Sequence, residues 1–89
     1  MNPPTSEAPN LNHGTQPLDA IMAGHHLGNH DLVAVSDEPL THKAVQRARK
    51  GRELTSHMRR RVAAALNKAL ARKGAAMERE LQVRDLFSY

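Results

Sequence analysis

The sequence contains no cysteine and no tryptophan, and its only aromatic rings apart from histidine belong to Phe87 and Tyr89. Without cysteine, the chain can form neither a disulfide nor a cysteine-ligated zinc site. No stretch approaches the ~18 consecutive apolar residues of a membrane span, and the N-terminus lacks the basic and apolar regions of a signal peptide. We therefore expect a soluble, cytoplasmic protein that has no membrane partner.

The composition favours helices over strands. The apolar residues are mostly alanine, leucine, valine and methionine, and these types suit packed helices better than a β-sheet. A chain of 89 residues forms one compact domain at most. The expected fold class is all-α, a compact domain of about four to five helices.

The N-terminal segment, residues 1–14, contains three prolines and no periodic apolar pattern. Burial cannot offset the entropy lost on ordering such a segment, so the pattern predicts a disordered leader. We expect the helical domain to span residues 15–74, followed by a C-terminal helix or tail at residues 75–89.

Capping residues predict two short helices in the first half of the chain. Thr15 is a suitable N-cap for the first helix, which is expected to end near Gly28. Asn29 would then cap a second helix that ends near Ser36. Pro39 disfavours helical geometry in the residue before it, so a turn should follow.

A third helix is predicted over residues 42–50. Thr41 is a good N-cap and Gly51 is a good terminator, and the cations of the last turn suit the helix dipole. The apolar side of this helix is narrow and consists of small residues: Ala44, Val45 and Ala48.

The fourth helix has the clearest apolar periodicity in the chain. Thr55 caps it, and it runs to about residue 73, where Gly74 interrupts it. Residues 75–84 are predicted to form a further helix that carries Met77 and Leu81. The apolar stripe of the fourth helix consists of Met58, Val62, Ala65, Leu66, Ala69 and Leu70.

Charge is distributed unevenly along the chain. All thirteen lysines and arginines lie between Lys43 and Arg84, whereas residues 1–42 carry only five acids. The densest stretch, residues 43–61, has eight basic residues and one acid. Such a field attracts polyanions, of which nucleic acid is the commonest. The alternative is a solvated helical surface.

The third helix carries residue types that read bases. In the major groove, lysine and arginine reach guanine O6 and N7, and glutamine pairs with adenine N6 and N7. The exposed arc of this helix is therefore predicted to read bases through His42, Lys43, Gln46 and Arg47.

Residues 40–51, LTHKAVQRARKG, resemble the recognition segment of helix-turn-helix proteins of the lambda-repressor-like superfamily, in its Xre-type and LacI-type regulators. The shared pattern is apolar-Ser/Thr-x-x-Ala/Thr-Val-x-Arg-x-x-x-Gly, and residues 54–66 are similar to the helix that follows in that family. The resemblance covers residues 18–70, which implies a helix-turn-helix DNA-binding domain within residues 15–74. It also implies that Val45 and Ala48 are buried and that Thr41 touches phosphate. The turn at residues 36–39 is longer than the family's usual tight turn.

Hydroxyls and cations that flank the reading arc are expected to contact DNA phosphates. In the run Arg59-Arg60-Arg61, one or two guanidinium groups could clamp the DNA backbone, or the run could form a solvated face opposite the core. The predicted phosphate contacts are Thr41, Lys50, Arg52, Thr55 and Arg60.

The six histidines do not form a convincing metal site. His26 and His30 have helical spacing, but Gly28 and Asn29 should break the helix between them, and no cysteine or paired glutamate completes a ligand set. We interpret the histidines as surface or partly packed residues. No nucleophile–base motif or phosphate-binding glycine loop is present, so we expect a non-enzyme with no cofactor, metal or small-molecule ligand.

The C-terminal segment, residues 75–89, is apolar for a tail. It could fold back onto the core of its own domain, or it could form a homodimer that reads two half-sites. We favour the homodimer. The apolar residues concerned are Leu81, Val83, Leu86, Phe87 and Tyr89.

The function expected from these features is sequence-specific binding of double-stranded DNA, as in a bacterial or phage transcriptional regulator. The alternative is a basic helical interaction module that binds an acidic protein partner or RNA. The basic half of the chain has no aromatic platforms of the kind that single-stranded RNA recognition normally uses, which disfavours RNA.

Overall fold

The computed structural model describes residues 12–75 and 79–89. These residues contain helices and one isolated β-bridge but no strand. The all-α prediction is therefore confirmed for this part of the chain. The five helices are α1 (Pro17–Gly24), α2 (Asn29–Val35), α3 (His42–Lys50), α4 (Ser56–Arg72) and α5 (Val83–Leu86).

One long helix, α4, provides the centre of the core, and α2, α3 and α5 pack against it. Its buried stripe follows the predicted period, although Met58 is only partly buried. Val45 and Ala48, on the underside of α3, have no exposed surface, as predicted. The largest fully buried side chains are Leu18, Met22, Leu32, Val45, Val62, Leu66, Leu70 and Leu86.

The ends of α3 and the start of α4 are set by local signals. Thr41 Oγ1 accepts a hydrogen bond from Ala44 N at 3.0 Å, and Thr55 Oγ1 accepts one from Met58 N at 3.1 Å. Gly51 ends α3 with φ +89°, a left-handed conformation that glycine adopts without steric cost. These predicted caps are confirmed.

The caps of α1 and α2 differ from the prediction. Gln16, not Thr15, is the N-cap of α1, and this helix ends at Gly24. Gly28 is the N-cap of α2, and its backbone N–H donates to Asp31 Oδ2 at 2.7 Å. Asn29 is not the cap because Asp31 already satisfies the helix end from within the first turn.

The predicted leader is wrong for residues 12–14, and residues 1–11 lie outside the described part. His13 N donates to Gly51 O at 2.7 Å, and Asn12 forms the β-bridge with Arg52. Residues 12–14 are ordered because they pair with the backbone at the end of α3. A Cβ on Gly51 would lie 1.7 Å from Gly14 O, so this approach requires glycine.

The helix predicted over residues 75–84 is wrong for residues 79–82, which are not helical, whereas residues 76–78 lie outside the described part. The reason is a side chain on α4. Asn67 Nδ2 donates to Leu81 O, and Asn67 Oδ1 accepts from Leu81 N, both at 2.9 Å. These bonds occupy the backbone groups that a continuous helix would use.

The C-terminal segment folds back onto its own domain. Leu86 and Phe87 belong to the core, with 0% and 3% of their surface exposed. Of the two alternatives for this segment, the structure has the one that closes the domain's own core. A homodimer through this segment stays a prediction, and Leu81, Val83 and Tyr89 remain only partly buried.

Candidate nucleic-acid interface

The helix α3 is fixed to two neighbouring helices by a side chain that sequence reasoning did not single out. Arg49 Nε donates to Asp19 Oδ1 of α1 at 2.6 Å, and Arg49 Nη1 donates to Asn29 Oδ1 of α2 at 2.8 Å. The Arg49 side chain is 20% exposed. A signal was present, because Arg49 lies four residues after the buried Val45 and so faces the same side of the helix.

The opposite side of α3 faces solvent, and all four predicted base-reading residues are exposed. Three of them, Lys43, Gln46 and Arg47, line one concave surface of about 520 Å³, which we call the α3 groove. The predicted phosphate contacts Lys50 and Arg52 line the same groove. The structure thus brings together three predicted base readers and two predicted phosphate contacts.

The fourth predicted base reader, His42, does not line the α3 groove. Its ring stacks on His30 of α2, with the ring centroids 5.9 Å apart. Gln46 is also tied to α2, because its Oε1 accepts from Asn29 Nδ2 at 3.0 Å. This bond uses one lone pair of the amide oxygen, which leaves its second lone pair and the two N–H donors of Gln46 to face a ligand.

The remaining predicted phosphate contacts do not line the α3 groove. Thr41 and Thr55 are exposed, and both hydroxyls accept the capping bonds of their helices. Arg60 lines a second groove of about 630 Å³, which we call the arginine groove. Its walls include Arg59, Arg60 and Arg84.

The three consecutive arginines have three different environments. The Arg59 guanidinium carbon lies 4.5 Å from the centroid of the Tyr89 ring. Arg61 donates to Glu38 Oε1 at 3.0 Å and to Pro39 O at 2.8 Å, so it holds the turn at residues 36–39. Arg60 is exposed and lines the arginine groove. The run is neither a uniform clamp nor a uniform solvated face.

Several acids of the described residues pair with cations outside the α3 groove. Asp19 pairs with Arg49, Asp37 with Lys68, and Glu38 with Arg61. Within residues 12–75 and 79–89, no acidic side chain lines either the α3 groove or the arginine groove. The cations of both grooves therefore create a local positive potential that favours a polyanion.

Two groups near the arginine groove have shifted pKa values. Burial raises the pKa of the Tyr89 hydroxyl, which stays neutral and donates to Arg52 O at 3.2 Å. The backbone N–H of Gln82, followed by Arg79, holds the pKa of Asp85 below its usual range. Asp85 therefore stays ionised and bonded to these two partners, Gln82 N at 2.7 Å and Arg79 Nη1 at 3.1 Å.

Among the described residues, no three His, Asp or Glu side chains come close enough together to hold a metal ion. In the same part of the chain, no helix is both long and apolar enough to cross a membrane. Comparisons with protein-family models, with curated proteins and with solved structures find no match for this chain. The choice of function therefore depends on the geometry and charge of the two grooves.

Proposed function

We propose that this chain is a sequence-specific DNA-binding protein, a transcriptional regulator of the helix-turn-helix type in which α3 reads the major groove. The observation that carries the proposal is the α3 groove: four cations and a glutamine on one exposed helix face and the loop after it, with no acid among the described residues that line it. On the other side, Val45 and Ala48 are buried and hold this face outward.

The dimensions of α3 suit the major groove. An α-helix with its side chains is about 10–12 Å in diameter, and the major groove of B-DNA is ≈ 12 Å wide. Lys43, Arg47 and Lys50 are separated by four and three residues, so they lie on one face of the helix. Such side chains can reach base edges with their tips while neighbouring groups contact phosphates.

Gln46 lies on the same face, and its orientation is set from outside the helix. Because Asn29 Nδ2 donates to its oxygen, the Gln46 amide presents N–H groups to a base. An N–H donor can pair with N7 of either purine, and the second lone pair of the oxygen can accept from adenine N6. A preference for guanine is expected from Lys43 and Arg47, because these side chains pair with guanine O6 and N7.

The same charge could attract RNA or an acidic protein, and these are the outcomes to exclude. Phe87 is buried, and the ring of Tyr89 is stacked on His13 with centroids 3.9 Å apart. Neither ring is a free platform for an unstacked base, which is the usual basis of single-stranded RNA recognition. The geometry thus favours a duplex over a single strand.

The test is selection of bound fragments from a random duplex pool, followed by fluorescence anisotropy on the enriched site at several salt concentrations. A DNA reader is expected to enrich one motif and to lose affinity steeply as salt rises. Matched single-stranded RNA and a poly-glutamate peptide serve as competitors. Binding without an enriched duplex motif, or stronger binding to either competitor, would overturn the proposal.

A further inference from the structure

The arginine groove lies between the first turns of α4 and the C-terminal segment. Arg59 and Arg60 come from α4, and Arg84 comes from α5, 24 positions later than Arg60 in the sequence. Arg60 and Arg84 are exposed, whereas Arg59 is partly buried. Three arginines thus line one open surface of about 630 Å³.

Neighbouring side chains hold Arg59 in the wall of this groove. Its guanidinium lies over the Tyr89 ring, and its Nη2 donates to Ser56 Oγ at 3.2 Å. Its Nη1 also donates to the backbone oxygen of Tyr89 at 2.5 Å. A cation held by a ring, a hydroxyl and a backbone oxygen is less free to leave the groove than a solvated one. Arg60 and Arg84 are in no ion pair with the described residues, so their charges are available to an anion.

The arginine groove is adjacent to the α3 groove. Tyr89, which lines the arginine groove, accepts from Leu54 N at 3.0 Å and donates to Arg52 O. Arg52 in turn lines the α3 groove. The loop between α3 and α4 therefore joins the two cationic surfaces, and one extended polyanion can contact both.

The acids nearest in sequence are bonded to groups other than the arginines of the arginine groove, although Asp85 also interacts electrostatically with Arg84. Asp85 follows Arg84 directly, but its carboxylate is bonded to Arg79 and to the backbone of Gln82. Glu53 is bonded to His13 Nε2 at 2.8 Å. Neither carboxylate is among the groups that line the groove.

We propose that the arginine groove binds the sugar-phosphate backbone of the DNA duplex that α3 reads, with Arg60 and Arg84 each pairing with a phosphate. This inference rests on the proposed function and extends the interface to the C-terminal segment. The planar guanidinium group matches phosphate oxygens in a bidentate geometry, which favours arginine at such positions. Phosphate contacts fix the orientation of the protein on DNA and carry no sequence information of their own.

The test compares Arg60→Gln, Arg84→Gln and the double variant with the parent protein. The quantity measured is the slope of log K against log salt, on the enriched duplex and on an unrelated duplex. Each lost phosphate contact should make this negative slope shallower by about 0.9, equally on both duplexes. The ratio of the affinity for the enriched duplex to that for the unrelated duplex should stay unchanged. Arg84→Lys should restore most of the slope, because the charge is kept.

The matched control is Arg72→Gln, which removes the same charge from the same helix. Arg72 is exposed and lines a different groove, beside Ala69 and Lys73. It lies twelve residues after Arg60, about 18 Å along α4. The salt slope of the Arg72→Gln variant should stay at the parental value. This result would distinguish the loss of a phosphate contact from a general loss of net charge. Thermal unfolding verifies that every variant is folded.

The outcomes separate this inference from the proposed function. If Arg60→Gln and Arg84→Gln have the slope of Arg72→Gln while changes in the α3 groove still weaken binding, the arginine groove is not a backbone contact and the α3 assignment stands. If the two arginine variants instead lose binding only to the poly-glutamate peptide, the groove binds an acidic protein and the inference is overturned. If the parent protein binds no duplex, both proposals fail.

Discussion

The side-chain oxygen of Gln16 accepts two hydrogen bonds from Ser88, which lies 72 residues later: one from the backbone N–H at 2.6 Å and one from the hydroxyl at 3.1 Å. The Gln16 amide nitrogen donates to His13 O at 3.2 Å and to Gly14 O at 2.8 Å. With 2% of its surface exposed, Gln16 uses all its donors and acceptors. It joins the N-terminal segment to the C-terminal tail.

Replacing Gln16 should therefore destabilise the fold. Gln16→Ala leaves the Ser88 N–H and two carbonyl oxygens without partners, and we expect the free energy of unfolding to fall by about 1–3 kcal/mol. Urea denaturation measures this. The control is Gln46→Ala, an exposed glutamine whose loss should change stability by no more than about 0.5 kcal/mol. Equal stability of the two variants would contradict the role of Gln16.

Gly51 should tolerate no side chain. Gly51→Ala forces an L-residue into a left-handed conformation, which costs about 1–2 kcal/mol, and adds a clash with Gly14 O. We expect a lower unfolding midpoint in thermal denaturation. Gly24→Ala is the matched control, because its Cβ would meet nothing within 4 Å at the end of α1. That variant should be neutral or slightly stabilising, and a parental midpoint for Gly51→Ala would refute the packing against Gly14.

The α3 groove should determine base preference. Lys43→Ala and Arg47→Ala are each expected to weaken binding to the enriched duplex by ~1–3 kcal/mol and to relax the preference at the contacted base pair, if the contact is bidentate. Anisotropy on the enriched duplex and on single-base variants of it measures both effects. Lys73→Ala, at the far end of α4, should have little effect on affinity. Parental affinity and preference in both groove variants would show that the reading face is misassigned.

Arg49 and Lys50 are adjacent in sequence, but replacing Arg49 should affect stability, whereas replacing Lys50 should affect DNA binding. Arg49→Ala breaks the partly exposed pair with Asp19, and a double-mutant cycle with Asp19→Ala should give a coupling of about 1 kcal/mol in urea unfolding. Lys50→Ala should leave stability within about 0.5 kcal/mol and weaken DNA binding, because Lys50 lines the α3 groove. Zero coupling in the cycle would mean that the pair with Asp19 does not anchor α3.

The raised pKa of Tyr89 predicts how the stability of the fold depends on pH. Because burial raises its pKa above 10.0, the folded state holds the phenolic proton more tightly than the unfolded state. The resulting stability is fully present below pH 10.0 and is lost as pH rises through the folded pKa. Absorbance of this single tyrosine should therefore titrate above pH 10.0 in the native protein. Tyr89→Phe should lack the corresponding loss of stability, and titration at or below that value would contradict the burial.

Features that depend on a few neighbouring residues could be predicted from the sequence. Thr41 and Gly51 bound α3 through bonds that span three or four residues, and the apolar period of α4 identifies its buried stripe. Within the candidate site, the exposure of Lys43 and Arg47 follows from the same helical periodicity.

Features that depend on distant partners could not be predicted. The Asn67 side chain binds the backbone of Leu81, and this prevents the helix expected there. Arg61 was a candidate member of a phosphate clamp, but Glu38 neutralises it from the turn before α3. No local pattern contains these pairs, since each member is compatible with several partners until the helices pack.

By itself, the sequence determined where the helices α3 and α4 begin, which of their faces is apolar, and that positive charge is concentrated in the second half of the chain. Only the tertiary structure decided which cations are neutralised, that Arg84 joins Arg60 in one groove, and that Ser88 closes the domain through Gln16. The physical reason is range: capping and periodicity act over one helical turn, whereas these pairings arise only when packing brings distant side chains within hydrogen-bond distance.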